Sequence, residues 1–337
     1  MKHIDGEYSR YDLEAAKKID EFLPDKIFDT HAHLYDASFT PNISKVSAFA
    51  LRSRCEVSDY VEDMKVLLGN REARLNIITL PDADMADPHV EVRAASVEFI
   101  RDQLTRFNGN VGEVMVGPDD TVEDVERMLV HPDVVGFKCY HTLSHSKPTW
   151  NVSIEEFLPQ SAWEVADRRG LVITLHMVRD AALSDPENSE YIVRMAKKYP
   201  NAVLILAHCA RSFASWTAVD AIDTVKDLEN VYFDFSGICE PAAMFQIMRK
   251  CGIGRCMWGS DYPVSRLVGK AISLADGFYW INEDDIAHFN KSGEVHSYSV
   301  GSENLMATRQ ACQMLDAGRE DIERLFYKNA SDLFDKK

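Results

Sequence analysis

The sequence predicts a (β/α)8 barrel, a closed ring of eight parallel strands alternating with helices. Three observations predict it. Eight short, nearly continuous apolar runs recur along the chain, each followed by an amphipathic stretch of helical period, as parallel strands covered on both faces require. Histidine, lysine and aspartate gather at the C-terminal ends of those runs, where barrels of this kind build their sites. No Gly-x-Gly-x-x-Gly follows any run, which takes away the main support for the competitor, an open doubly wound sheet. The 337 residues fit one such barrel of typically ~250 residues with insertions. The whole chain, 1–337, reads as a single domain, with the barrel core at about 26–334 and an N-terminal extension at 1–25.

The first strand is 26–34. The following stretch, 35–57, is longer than an ordinary connection and reads as an insertion capping the barrel mouth. Val57-Ser58-Asp59 opens a helix to about Leu68, and the second strand is 74–81, followed by a helix over 90–107. The third strand is 110–117, and Thr121 caps the helix 122–130. The fourth strand, 134–140, leads to a helix at 154–169 that stops at Gly170, a fitting residue just past a helix end. Strands five and six are 171–176 and 202–208, separated by a helix at 189–199 that ends before Pro200. The helix 215–228, the seventh strand 231–235, the helix 242–250 and the eighth strand 255–261 complete the ring. Beyond it, 282–298 reads as a polar insertion over the mouth or at an interface, and 304–315 and 319–334 as closing helices.

Composition bounds the function. Lys+Arg 37 against Asp+Glu 54 gives a net charge of −17, which has no general attraction for nucleic acid or an anionic membrane. No apolar run approaches the ~20 residues of a membrane helix, and Met1–Glu7 carries no apolar signal segment. The 7 cysteines are scattered without a C-x-x-C, the pattern of reduced thiols in a cytoplasmic protein.

His31 and His33 stand two residues apart at the end of the first strand and therefore face the same way. Alone, such a pair is weak, because surface or core histidines also occur in it. Here Lys138, His176, His208 and Asp261 end the fourth, fifth, sixth and eighth strands, and the barrel brings all of them to one rim. Three or four N/O ligands with an open position suit a catalytic metal site, whereas a structural site would use cysteines clustered in sequence. Arg179 and Arg211 each follow a site histidine by three positions and offer a bidentate clamp for a carboxylate, or an ordinary loop ion pair. Arg52 and Arg54 carry the same double reading. Tyr140 and His141 line the cavity or pack the loop; Asp29 supports the histidine pair or caps the strand; Asp234 and Ser236 read as hydrogen-bonding groups on the rim. A lysine at position 138 buried without a partner or a role would be costly.

Phe28-Asp29-Thr30-His31-Ala32-His33, Gly136-Phe137-Lys138, the strand ends at His176 and His208, and Trp258-Gly259-Ser260-Asp261-Tyr262-Pro263 resemble the amidohydrolase superfamily. The nearest branch is the amidohydrolase-2 group of metal-dependent barrel hydrolases and decarboxylases, and the closing segment 321–330 is similar to that group's C-terminal helix. The resemblance implies that His31, His33, His176 and Asp261 hold a divalent metal, Zn2+ first with Mn2+ as the alternative. It implies that His208 is a further ligand or an acid/base residue, and that Asp261 and His208 are catalytic. Lys138 is then a carboxylated bridge between two metals, a contact to the substrate's anionic group together with Arg179, Arg211 and Tyr140, or a structural ion pair. The expected partner is a small carboxylate-bearing molecule, and the resemblance makes a homo-oligomer plausible. The leading activity is hydrolysis of a small amide or lactone by metal-activated water. The alternative is non-oxidative decarboxylation or hydration of an aromatic or unsaturated carboxylic acid. A third class, an idle barrel serving as a scaffold, conflicts with the complete ligand set.

Overall fold

The computed structural model describes residues 7–42 and 52–335. Twelve strands occur among them. β1 (Lys26–His33), β4 (Glu72–Ile78), β5 (Val111–Met115), β6 (Val134–Cys139), β7 (Val172–Leu175), β8 (Val203–Leu206), β9 (Val231–Asp234) and β10 (Cys256–Met257) form one parallel sheet in that spatial order. β2 (Tyr35–Asp36) pairs with β3 (Arg54–Cys55), and β11 (Gly269–Leu274) pairs with β12 (Gly277–Asn282), both antiparallel.

The ring closes between β10 and β1. Thr30 N donates to Trp258 O at 3.2 Å, Asp261 N to His31 O at 2.8 Å, and His33 N to Tyr262 O at 2.6 Å. The eight expected strands are therefore the eight barrel strands, each ending earlier than expected, while the second begins two residues sooner, at Glu72. The shortening is greatest at the eighth: only Cys256–Met257 are in the sheet, and 258–261 run on as backbone stitched to β1.

Burial explains the continuous apolar runs. β6 and β7 are buried along their whole length, against the barrel interior on one side and the helical layer on the other. The helix at Val57–Leu68 has the expected bounds. The one expected over 154–169 is broken: a 3-10 turn at Ile154–Glu156 precedes the helix Gln160–Arg169, because Pro159 cannot sit inside a helical ladder. The helix expected at 215–228 shrinks to Trp216–Ala221 and a 3-10 turn, Ile222–Thr224.

Three elements lie outside the sequence reading. Arg10–Ile19 is a helix with a Ser9–Asp12 capping box, and Glu283–Phe289 is a short helix inside the segment expected to be a polar insertion. The third is the β11–β12 hairpin, which folds back over the barrel mouth. Much of the insertion expected at 35–57 (43–51) falls outside the described residues. No helix among the described residues is long and apolar enough to cross a membrane.

Candidate metal centre and substrate cavity

At the C-terminal ends of the barrel strands lies a cavity of about 490 Å³. His33, Tyr140, His141, His176, His208, Arg211 and Asp261 supply its polar lining near the strand ends, Lys270 and Asn282 add to it from the hairpin, and Phe213, Phe278 and Trp280 form its aromatic wall. Its floor is a set of imidazoles whose hydrogen bonds dictate their tautomers.

His33 Nδ1 stands 3.2 Å from the Thr79 carbonyl oxygen and His208 Nδ1 2.9 Å from the Ser236 carbonyl oxygen. A carbonyl only accepts, so both Nδ1 atoms carry the hydrogen and both Nε2 atoms keep a lone pair. His31 Nδ1 donates in the same way to Asp234 Oδ2 at 3.0 Å. The consequence appears at His31 Nε2 and His33 Nε2, which face each other at 3.2 Å. With these tautomers both are acceptors, so the contact is not a hydrogen bond; the Lys138 amine, 3.2 Å from His31 Nε2, offsets the repulsion on one side, and His33 Nε2 keeps its lone pair. Two ligands of a tetrahedral zinc at 2.0–2.1 Å would be separated by about 3.3 Å. The donor set therefore fits a divalent cation.

Asp261 completes the approach, with Oδ1 3.6 Å from His33 Nε2 and 3.8 Å from His31 Nε2. Ligand atoms of His31, His208 and Asp261 all lie within 4.8 Å of one another. His208, expected as either a ligand or an acid/base group, belongs to this group, with its Nδ1 4.0 Å from Asp261 Oδ2. His176 is the outer member: its ring centre is 5.2 Å from that of His208, and its Nδ1 is buried without a hydrogen-bond partner. An orphaned imidazole nitrogen at a cavity wall is a free ligating atom. Burial holds all four imidazoles in the neutral form that ligates, with His208 pushed down to about 3. Burial raises the Asp261 carboxyl well above its ordinary range, which Lys138 only partly opposes. A cation beside it would reverse that.

Asp234 and Ser236 are not on the rim. Asp234 is wholly buried and is the hub of the floor: it accepts from His31 Nδ1, from His208 N at 3.2 Å, from Ser236 N at 3.0 Å and from the Ser236 hydroxyl. The neighbouring imidazoles and Lys138 outweigh the penalty of burial and hold its carboxyl well below the usual range. Asp29 works on the backbone instead of the rings. Its Oδ1 accepts from His31 N at 3.1 Å and Ser260 N at 2.8 Å, and its Oδ2 from the Tyr60 hydroxyl at 2.7 Å. It thereby ties the strand carrying the histidine pair to the segment carrying Asp261.

His208 begins a turn that the sequence does not announce. His208, Cys209, Ala210 and Arg211 all have positive φ, between 51° and 60°. Left-handed turns cost roughly 1–2 kcal/mol per non-glycine residue, and strain of this kind is retained where the surroundings hold it. The bonds from His208 N to Asp234 and from Ser212 N to His208 O are the restraints here. In such a turn residues three apart share a face, and His208 and Arg211 both line the cavity.

Two expected substrate contacts are corrected. Arg179 does not line the cavity; its guanidinium is held by Asp185 at 3.3 Å and Glu187 at 2.5 Å. Lys138 does not line it either. It is fully buried, and its Nζ lies 3.2 Å from His31 Nε2, beneath the floor. Arg52 and Arg54 pair with Asp63 and with Asp36 and Glu56. Arg211 and Tyr140 stand where they were expected. Arg211 gives one N–H to the Arg179 carbonyl at 2.8 Å and lies 5.3 Å over the Phe278 ring, leaving further N–H groups for an anion. Phe213, Phe278 and Trp280, which the sequence reading did not single out, have ring centres 5.1–5.3 Å apart around Phe213.

Comparison with known proteins follows this geometry. The family model described as amidohydrolase matches residues 28–336. Among curated proteins none matches the chain. Solved structures share the fold. A 5-carboxyvanillate decarboxylase from Sphingomonas paucimobilis is 14% identical, with 93% of this chain and 99% of that one covered and a TM-score of 0.57. A putative 2-pyrone-4,6-dicarboxylic acid hydrolase from Pseudomonas putida is 16% identical over 93% and 98%, with a TM-score of 0.54. An amidohydrolase from Burkholderia multivorans with bound zinc is 13% identical over 92% and 99%, with a TM-score of 0.58.

Proposed function

We propose that this chain, which belongs to the amidohydrolase family, is a metal-dependent hydrolase of a small carboxylate-bearing amide, lactone or related carbonyl compound. One observation carries the reading: lone pairs of neutral imidazoles and one carboxylate converge on the floor of a cavity whose wall holds a half-buried arginine. His31, His33, His176 and Asp261 would hold the cation, with His208 close enough to join them. Zinc is the metal of choice, because imidazole and carboxylate ligands in an open site suit it. A divalent cation there supplies Lewis acidity at a carbonyl oxygen and eases ionisation of water.

The residues of the chain do the rest. Asp261 accepts the proton of the attacking water at a carboxylate oxygen and passes it to His208 Nε2, a lone pair fixed by the Ser236 carbonyl, which hands it on to the leaving group. Arg211 binds a substrate carboxylate, and Tyr140 offers its hydroxyl beside it. The aromatic wall keeps water from the far side of a flat substrate. Lys138 serves as an unmodified amine: it lies near Asp234, Glu113 and Asp261, where a carboxylated lysine would add another negative charge.

A second reading, decarboxylation of an aromatic acid, is favoured by Arg211 standing among Tyr140, Phe213, Phe278 and Trp280. One assay separates the two. The purified zinc-loaded protein is offered a panel of lactones, amides and aromatic acids in 18O-labelled water. Label entering a product carboxylate supports hydrolysis, and carbon dioxide release with no label in the organic product supports decarboxylation. His176→Ala should lose stoichiometric metal under either reading; a fully loaded variant would show that the ligand assignment is wrong.

A further inference from the structure

Glu113 lies inside the barrel below the metal centre, takes no part in the proposed chemistry, and has a half-used carboxylate. Its Oε1 accepts from Asn76 Nδ2 at 2.6 Å and Thr174 Oγ1 at 2.8 Å, while its Oε2 is buried with no hydrogen-bond partner. An open carboxylate oxygen in a dry interior calls for a donor. The register shows which donor is at hand. Glu113 on β5 pairs with Gly136 on β6, and Lys138 follows Gly136 by two residues, on the same face of the sheet. Lys138 therefore stands one layer above Glu113 on the adjoining strand. Both are wholly buried.

His31 Nε2 has a single lone pair, because Nδ1 gives its hydrogen to Asp234. Lys138 Nζ, 3.2 Å away, donates into that lone pair. A metal ion needs the same lone pair, so the two compete for one atom. A displaced amine needs another acceptor within reach of its flexible stem, and the vacant Glu113 oxygen is one.

We propose that Glu113 is a positioning residue for the metal centre, acting through Lys138: it receives the Lys138 amine when a cation takes over His31 Nε2. The exchange breaks one hydrogen bond and forms another, and no covalent step is involved. It rests on the metal-site reading above. Glu113 sets how readily the site gives up its internal donor, and Lys138 keeps the floor satisfied when the metal is away.

The test is Zn2+ affinity by chelator competition, with folding followed by circular dichroism. Glu113→Gln keeps the shape but presents an amide donor to Lys138. It should weaken zinc binding by about tenfold or more, the size expected when a partner behind a ligand is lost. Lys138→Met should bind zinc as tightly as the wild type or tighter, and in that background Glu113→Gln should have little further effect. A merely structural role for Glu113 would leave the loss undiminished in the double variant, and that result overturns the proposal. So does a Glu113→Gln variant that binds zinc like the wild type. Should Lys138→Met not fold, Lys138→Leu takes its place, and a zinc-loaded crystal structure of the wild type decides independently. Lys138 Nζ within hydrogen-bond distance of Glu113 Oε2 supports the exchange; an amine still on His31, or a carboxylated one, refutes it. Wild type that retains no zinc sinks the metal reading and this proposal with it, whereas a loaded wild type with an indifferent Glu113→Gln sinks only this one.

Discussion

Asp234→Asn is the substitution that most directly tests the floor of the cavity. The carboxylate makes four contacts: His31 Nδ1 at 3.0 Å, His208 N at 3.2 Å, Ser236 N at 3.0 Å, and the Ser236 hydroxyl. Asparagine keeps an oxygen at the Oδ1 position, so the last three survive. At the Oδ2 position it places an amide donor against the N–H of His31. Two donors cannot share that line. The imidazole either turns away or moves its hydrogen to Nε2, and both outcomes remove the lone pair that faces His33 Nε2. Loss of such a supporting partner costs about 10–100-fold in metal affinity, or roughly 1.4–2.7 kcal/mol at 1.36 kcal/mol per decade. The isosteric change should cost far less global stability, because no cavity opens. Zinc affinity by chelator competition, with melting of the metal-free protein alongside, reads both. Unchanged zinc affinity in a folded variant would refute the tautomer assignment on which the site is built.

Four further outcomes follow from the geometry. Arg211→Met should raise KM for a carboxylate substrate by about 10–100-fold with kcat less affected, since a charge-assisted hydrogen bond is worth roughly 1.5–3 kcal/mol. Arg179→Met should leave KM unchanged and cost at most about 1 kcal/mol of stability, because its ion pairs are at the surface; steady-state kinetics and thermal melts distinguish the two arginines. Gly237→Ala places a Cβ 3.0 Å from Asp261 Oδ2 at a φ of +67°, so it should cost roughly 1–2 kcal/mol in backbone strain alone. It should also lower kcat/KM by displacing the carboxylate. Burial lifts the Glu113 carboxyl from 4.5 to about 7, with Lys138 opposing. The folded state then binds more protons than the unfolded one between those values, so this group makes the protein less stable as pH rises through that window, by at most about 3 kcal/mol. Urea melts of metal-free wild type and Glu113→Gln across pH 5–8 should differ in that slope; parallel curves would count against it.

The strands were legible because a parallel strand covered on both faces has to be apolar throughout, and the first candidate ligands because His31 and His33 share a strand face. The remaining site residues were legible only through the barrel: His176, His208 and Asp261 mean nothing by spacing along the chain. What escaped has physical reasons. Asp234 is a lone acid at a strand end, and a sequence pattern does not distinguish an acid facing solvent from one bonded to the His31 imidazole and the His208 backbone N–H. The turn at His208–Arg211 contains neither glycine nor asparagine, the residues that normally mark positive φ. The hairpin of β11 and β12 has aromatic residues on alternate positions, Phe278 and Trp280, in a stretch between the eighth strand and the segment 282–298 to which the sequence reading assigned no element. Arg179 and Arg211 occupy equivalent offsets after a histidine, and only the acids around Arg179 separate their fates.

The interior below the site deepens this contrast. Asn76, Glu113, Lys138, Thr174 and Asp234 come from β4, β5, β6, β7 and β9, and each is at most 1% exposed. Barrel interiors are ordinarily filled by branched apolar side chains in layers, and burying polar groups costs free energy unless each finds a partner. Stability alone would favour replacing these residues by valine or isoleucine. Their hydrogen bonds run from Asn76 through Glu113 to Thr174, and from Lys138 through His31 to Asp234 and His208. Nearly every bond ends on a group that orients an imidazole or stands one layer beneath one. A polar interior that converges on four histidine rings, with His176 Nδ1, Glu113 Oε2 and Asn76 Oδ1 among the atoms left without partners, is suited to receive a cation and would be a liability in a barrel that only had to fold.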